Sequence, residues 1–166
     1  PILLPPPVSQ LVDKHNQFKN TVLIGLQPMG TFLIEKILEI FKKKYPTIYI
    51  NSGILDFTFF RDDFRRSKKT LKASSTQINF SIENKNVVLI DDVLFTGRSI
   101  KAAMSSMDSY GRPNSIELLV LIDRRYKREI PIQANYCGAK IDTFKGDKVN
   151  VVWNENSKKN IIYIEN

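Results

Sequence analysis

The 166-residue chain predicts an α/β fold, a mostly parallel, twisted sheet flanked by helices. Three observations carry this. Short apolar runs at Thr21–Gly25, Val87–Ile90 and Ser115–Ile122 suit strands buried on both faces, the habit of parallel sheets. Between them lie segments with helical spacing, and strand–helix alternation is the mark of crossover connections within one sheet. Polar loops follow each run, at the strand ends where such sheets bind ligands.

In chain order, Pro1–Pro7 carries four prolines and predicts an extended arm, part of an N-terminal region over residues 1–20. Val8–His15 predicts a short helix, Thr21–Gly25 a strand, and Gln27-Pro28-Met29-Gly30 a tight connection. From Thr31 to Lys44, Leu33, Ile34, Ile37, Leu38, Ile40 and Phe41 form the broad stripe of a core-facing helix. Lys42, Lys43 and Lys44 sit where the helix dipole favours cations, and Pro46 stops the helix. Thr47–Phe60 predicts two strand pieces, or one strand bulged at Asn51-Ser52-Gly53. Residues 61–80 are polar and weakly anchored, which predicts a mobile, functional loop with some hairpin content. Ile100, Ala103, Met104 and Met107 mark a helix over 99–110, capped by Gly111 with Pro113 beyond. Asp123–Arg128 predicts a charged loop, and 132–137, 149–153 and 161–164 are strand candidates.

Composition narrows function. Hydrophobic residues at 42% and charged residues at 25% fit a globular domain, and the length fits a single one. A net charge of +8 favours a polyanionic ligand, either a phosphorylated metabolite or nucleic acid. The single cysteine, Cys137, excludes a disulfide framework and is expected to be inert packing. No apolar run is long enough to span a bilayer, and the expectation is a cytoplasmic protein without membrane association. His15 is the only histidine and lies in the short N-terminal segment, so no Ser-His or Cys-His machinery is expected. Tyr136 and Trp153 are either core or stacking surface, with stacking favoured for Tyr136.

Residues 87–100 carry the chemistry. A buried strand ends in two acids, Asp91 and Asp92; Val93, Leu94 and Phe95 fill a gap; Thr96, Gly97, Arg98 and Ser99 then turn into a helix. The carboxylates can accept hydrogen bonds from ribose hydroxyls, and the loop N–H groups with the helix start can hold a phosphate. The P-loop and dinucleotide-binding patterns are both missing from the sequence. The strand-end rule places Gln27–Gly30, Asp91–Ser99 and Asp123–Arg128 along one edge as a single site.

Val87–Ile100 resembles the phosphoribosyl-pyrophosphate signature of type I phosphoribosyltransferases. The likeness covers nearly all of the chain after residue 20. It is nearest the branch of pyrimidine-operon regulators that are also uracil phosphoribosyltransferases, the PyrR type. Supporting stretches are Val22–Gly30, Leu55–Asp63, Gly111–Ile116, Leu121–Arg125, Ile130–Ile132 and Ala134–Gly138. The resemblance implies that family's fold over residues 1–166, with a mobile loop at 61–80 and a small hood with the base pocket at 123–166. It implies transfer of phosphoribosyl from its pyrophosphate to uracil, giving UMP.

By the same resemblance, Asp91 and Asp92 hold the ribose, and Thr96, Gly97, Arg98 and Ser99 wrap the 5′-phosphate. Val93, Leu94 and Phe95 complete that segment. Gln27, Pro28, Met29 and Gly30 meet the pyrophosphate. Arg61, with Asp62 and Asp63, opens the closing loop, and Arg61, Asp62, Asp91 and Asp92 form the catalytic set. Tyr136 and Gly138 lie near the base, with Asp123 and Arg124 at the rim. The implied cofactor is Mg²⁺, held chiefly by substrate oxygens, with Asp91 and Asp92 reaching it through water. The implied assembly is a homodimer or homotetramer, and an mRNA leader is the implied regulatory partner. The sequence departs from the family at Met29, where a basic residue is usual. It departs again near the N-terminus, where Pro5-Pro6-Pro7 and a weakly basic segment replace a basic helix. A purine base is disfavoured because the residue beside Asp123 is Arg124 rather than lysine.

Overall fold

The structure is a computed structural model that describes residues 7–62, 75–143, 148–152 and 161–165. Its centre is a five-stranded sheet, parallel throughout, in the order β2-β1-β3-β4-β5. The strands are β1 (Thr21–Leu26), β2 (Asn51–Leu55), β3 (Asn86–Leu94), β4 (Ser115–Arg125) and β5 (Tyr136–Asp142). The helices are α1 (Val8–Lys14), α2 (Met29–Lys44) and α3 (Arg98–Met107). A separate antiparallel pair joins β6 (Lys148–Val152) to β7 (Ile161–Glu165). No helix among the described residues is long and apolar enough to cross a membrane.

Both faces of the sheet are covered, which explains its near-continuous apolar strands. On one face α1 and α2 pack Leu11, Leu33, Ile37 and Phe41 against Leu23, Val88 and Ile90. On the other, α3 packs Ile100, Ala103 and Met107 against Ile24, Leu89 and Val120. Each such buried side chain contributes about 1.5–3 kcal/mol of transfer free energy. Alternation along β1 and β3 supplies one residue to each face in turn.

Several boundaries differ from the sequence expectation, each for a physical reason. Asn51-Ser52-Gly53 does not interrupt a strand; it opens β2, and Thr58–Phe60 is a 3₁₀ turn. Gly53 is tolerated there because Gln77 crosses it in a short antiparallel bridge to Ile54. That bridge is the hairpin content of the long polar loop; most of that loop, 63–74, lies outside the described residues, as do residues 1–6 and Trp153. β3 runs on through Asp91 and Asp92 to Leu94 because it stays paired with β4 as far as Asp123, and β4 continues to Arg125 because it pairs there with β5. β5 begins at Tyr136, later than the 132–137 candidate, with Asn135 held by β4: its Oδ1 accepts from Leu118 N at 2.9 Å.

Candidate functional site

The three loops expected to form one site lie after β1, β3 and β4 but do not line one cavity: Asp91 and Val93–Ser99 line one, Asp123–Arg128 lies at another, and Gln27–Gly30 lines neither of these. The first, of 510 Å³, is lined by Arg61, Asp62, Asp91 and the whole run Val93–Ile100. α2 follows β1. Gly30, in the first turn of α2, packs so tightly on β3 that a Cβ would lie 2.3 Å from the Ile90 carbonyl oxygen. Only glycine permits that approach, and it sets the helix start beside Asp91. The Thr31 Oγ1 next to it is buried without a hydrogen-bond partner in the described structure. Gln27 also reaches across the long loop's returning end, donating from Nε2 to the Ser75 carbonyl at 2.8 Å.

The acids are aimed by their own backbone. Asp92 N donates to Asp91 Oδ1 at 3.0 Å, and Val93 N donates to Asp92 Oδ1 at 2.8 Å. Burial pushes the Asp91 carboxyl well above the usual carboxylate range, and the neighbouring Asp92 charge pushes it further. Burial also raises Asp92, though the Val93 N–H offsets part of this. Adjacent strand residues face opposite ways, and Asp91, not Asp92, lines the cavity. The pair is therefore not symmetric: Asp91 faces the ligand space directly.

The phosphate loop is shaped by Gly97, whose φ of 91° is a left-handed conformation that disfavours a side chain. It lets the chain enter α3 at Arg98, whose N–H donates to Thr96 Oγ1 at 3.4 Å, while Gly97 itself supplies no side-chain cap, so the N–H groups that follow in this ten-residue helix can meet an anion. Arg98 does not present its guanidinium to that cradle. The side chain bonds Asp62 and Glu129 instead. Asp62 is thereby tied to the phosphate loop.

The charged stretch after β4 is less free than its sequence suggests. Asp123 and Arg124 are not a rim; both are buried. Arg124 stacks over the Phe95 ring at 3.9 Å and donates to Thr143 Oγ1 at 3.2 Å. Arg125 pairs in two-pronged fashion with Asp142 at 2.6 and 2.8 Å. A second cavity of 450 Å³ lies here, lined by Asp123, Tyr126, Arg128, Ile132 and Lys140 among others.

Tyr136 is not near either cavity. It sits at the N-terminal end of β5, buried, where its hydroxyl donates to Glu117 Oε2 at 2.5 Å and meets His15 Nε2 at 2.9 Å. Burial, then the Glu117 hydrogen bond, raises its phenol above the ordinary value. Gly138, further along β5, packs against β4, where a Cβ would lie 2.6 Å from the Leu121 carbonyl oxygen. His15, the sole histidine, completes the Tyr136 cluster at the foot of the sheet, so no imidazole reaches the cavity. Sequence reasoning missed Glu129 and Thr31; the Glu129-Ile130-Pro131 step after the basic run was the signal for the first.

Residues 8–156 match the phosphoribosyl transferase domain model. The chain belongs to the phosphoribosyltransferase family. Within that family its relatives are the PyrR group. The bifunctional protein PyrR of Caldicellulosiruptor bescii is 40% identical over 156 residues, covering 94% of this chain and 85% of the relative. That of Pediococcus pentosaceus is 36% identical over 159 residues, covering 95% and 89%. Among solved structures, the hypoxanthine phosphoribosyltransferase of Trypanosoma cruzi in complex with the product IMP superposes with a TM-score of 0.65 at 18% identity, covering 86% of this chain and 71% of that one. The Staphylococcus aureus hypoxanthine phosphoribosyltransferase gives 0.62 at 23% identity, covering 86% and 71%. These two share the fold.

Proposed function

We propose that the chain transfers the phosphoribosyl group of phosphoribosyl pyrophosphate to uracil, releasing pyrophosphate and UMP. The observation that carries this reading is the pairing, in one 510 Å³ cavity, of Asp91 with the start of α3 behind Gly97. One feature grips a ribose and the other its 5′-phosphate, at the separation a strand-to-helix turn provides.

In the reaction the bond from C1′ to the pyrophosphate oxygen breaks, the bond from C1′ to uracil N1 forms, and the N1 proton leaves to solvent or to pyrophosphate. The sugar passes through an oxocarbenium-like state, as in glycosyl transfer generally. No protein nucleophile is needed, which suits a site that the sole histidine does not reach. Asp91 and Asp92 orient the sugar by accepting from its hydroxyls, and their negative charge favours the cationic carbon. Arg61 supplies a cation at the cavity wall for the leaving group. The described ends of the long loop, Asp62 and Ser75, are tied to Arg98 and Gln27.

Among the described residues no group of three or more acidic, histidine or cysteine side chains could hold a metal by itself. A carboxylate pair whose charge is disfavoured by burial does fit Mg²⁺ carried by substrate oxygens. Bound there, the ion would neutralise pyrophosphate charge. The test is UMP formation from uracil and phosphoribosyl pyrophosphate with Mg²⁺; folded protein that turns over no nucleobase would sink the reading.

The name of the PyrR relatives and the +8 charge support a second role, regulation through RNA. The loop after β4 supports it less than its composition does, since Arg124, Arg125 and Arg128 are bound within the protein. A titration against pyrimidine-gene leader RNA, with and without UMP, separates sequence-selective binding from salt-sensitive, indiscriminate binding.

A further inference from the structure

The chain that follows β4 is built onto the phosphate loop. Glu129 N and Ile130 N both donate to the Thr96 carbonyl, at 2.9 and 3.2 Å. A Cβ on Gly97 would meet Ile130 Cβ at 3.3 Å and Arg128 Cδ at 3.7 Å. Arg128 is the centre of this contact. One guanidinium nitrogen donates to the Phe95 carbonyl, and the other donates to Asp123 Oδ1 at 2.5 Å. Its side chain is 23% exposed and that of Asp123 is 11% exposed, so both bonds are largely withdrawn from water. Asp123 and Arg128 line the 450 Å³ cavity, whereas Phe95 lines the 510 Å³ cavity. A single planar, two-pronged group thus joins the walls of two cavities. Lysine, a compact point charge, cannot span both acceptors in this way.

Resting on the reading of the larger cavity as the phosphoribosyl pyrophosphate site, we propose that Arg128 is a positioning residue. It holds the Phe95–Gly97 turn in the phosphate-binding form and couples that turn to Asp123 at the second cavity. Without it, Phe95 O and Asp123 are left partly buried without this donor. The turn, already committed to a left-handed Gly97, then gains alternative conformations.

The test uses full-length wild type, Arg128→Met and Arg128→Lys. In Arg128→Met, amide hydrogen exchange at Thr96–Ser99 is expected to quicken about tenfold or more while amides of β1 keep their wild-type rates. The KM for phosphoribosyl pyrophosphate should rise about tenfold, with kcat changed less. Arg128→Lys should recover part of both effects. Asp123→Asn should cost less in the Arg128→Met background than in wild type, the mark of a shared interaction. Unchanged exchange at Thr96–Ser99, or quickening spread equally over β1, would overturn the positioning role. Absence of turnover in wild type would defeat the transferase reading alone, because the exchange comparison still decides the role of Arg128.

Discussion

Two polar clusters lie at opposite ends of the same sheet, and they are built on opposite terms. At the foot, Glu117 collects Lys14 at 2.6 Å, His15 at 3.0 Å and the Tyr136 hydroxyl, while Thr21 Oγ1 meets the other His15 ring nitrogen at 3.1 Å. Burial alone would raise the Glu117 carboxyl, but the hydrogen bonds from Lys14 and Tyr136 and the charge of His15 outweigh it and hold it below its ordinary value. At the C-terminal edge, Asp91 and Asp92 stand side by side, their carboxyls hydrogen-bonded to each other and to the backbone N–H groups of Asp92 and Val93. No cation among the described residues pairs with them, and both carboxyls sit above the usual range. A satisfied cluster fastens α1 to the sheet; a pair whose charge burial disfavours is the candidate for a ligand. The difference separates structural polar groups from functional ones, which residue types alone do not.

The largest effect should come from removing the buried acid. Asp91→Asn should lower turnover by about 10²–10³-fold, as loss of a preorganised transition-state contact does. The same variant should melt at an equal or higher temperature, since it removes a carboxyl whose charge burial disfavours. Loss of activity accompanied by unfolding would break the comparison.

The satisfied cluster should behave the other way. Glu117→Ala leaves His15, Lys14 and Tyr136 without their shared acceptor and should cost about 2–4 kcal/mol in urea unfolding. Turnover per folded molecule should stay near wild type, because the cluster lies at the far end of the strands from the cavity. A large kcat loss in folded protein would mean that the two ends communicate.

Met29 offers a gain-of-function test of the proposal that the first turn of α2, which it opens beside Gly30, faces the leaving group. Met29→Arg should raise kcat/KM for phosphoribosyl pyrophosphate about tenfold, the worth of one charge-assisted contact. No gain would show that the first turn of α2 does not face pyrophosphate.

The smallest effect, and the most diagnostic in sign, is pH dependence. Asp91 and Asp92 bind protons more tightly in the folded state. Their contribution to stability is present below the usual carboxylate pKa and is lost as pH rises through their raised values. Glu117 has the opposite sign: its contribution is present above the ordinary carboxylate pKa and is lost as pH falls through its lowered value. Urea midpoints measured across acid to neutral pH should show the first slope vanish in Asp91→Asn and the second vanish in Glu117→Ala.

Much of this was legible in the sequence. The parallel sheet, the α2 and α3 core stripes and the cradle at Asp91–Ser99 follow from apolar run length, helical period and a strand–acid–Gly turn. What was not legible depends on partners distant in the chain. Tyr136 reads as a stacking residue until Glu117 and His15, 19 and 121 residues away, claim its hydroxyl. Arg98 reads as a phosphate ligand until Asp62 and Glu129 take its guanidinium, and Arg124 as a rim residue until Phe95 covers it. The end of β3 was misplaced because two acids look like a strand terminus, whereas pairing to Val120, Ile122 and Asp123 keeps the strand going.

We propose that the Asp91 edge transfers phosphoribosyl groups, its buried acids held above their usual range for that purpose. Its most direct test is UMP formation from uracil and phosphoribosyl pyrophosphate with Mg²⁺, run on wild type and Asp91→Asn side by side with their thermal melts. Wild type should turn over, the variant should lose about 10²–10³-fold, and its melting temperature should be no lower than that of wild type. A variant that keeps its turnover, or a folded wild type that converts no nucleobase, would contradict the proposal.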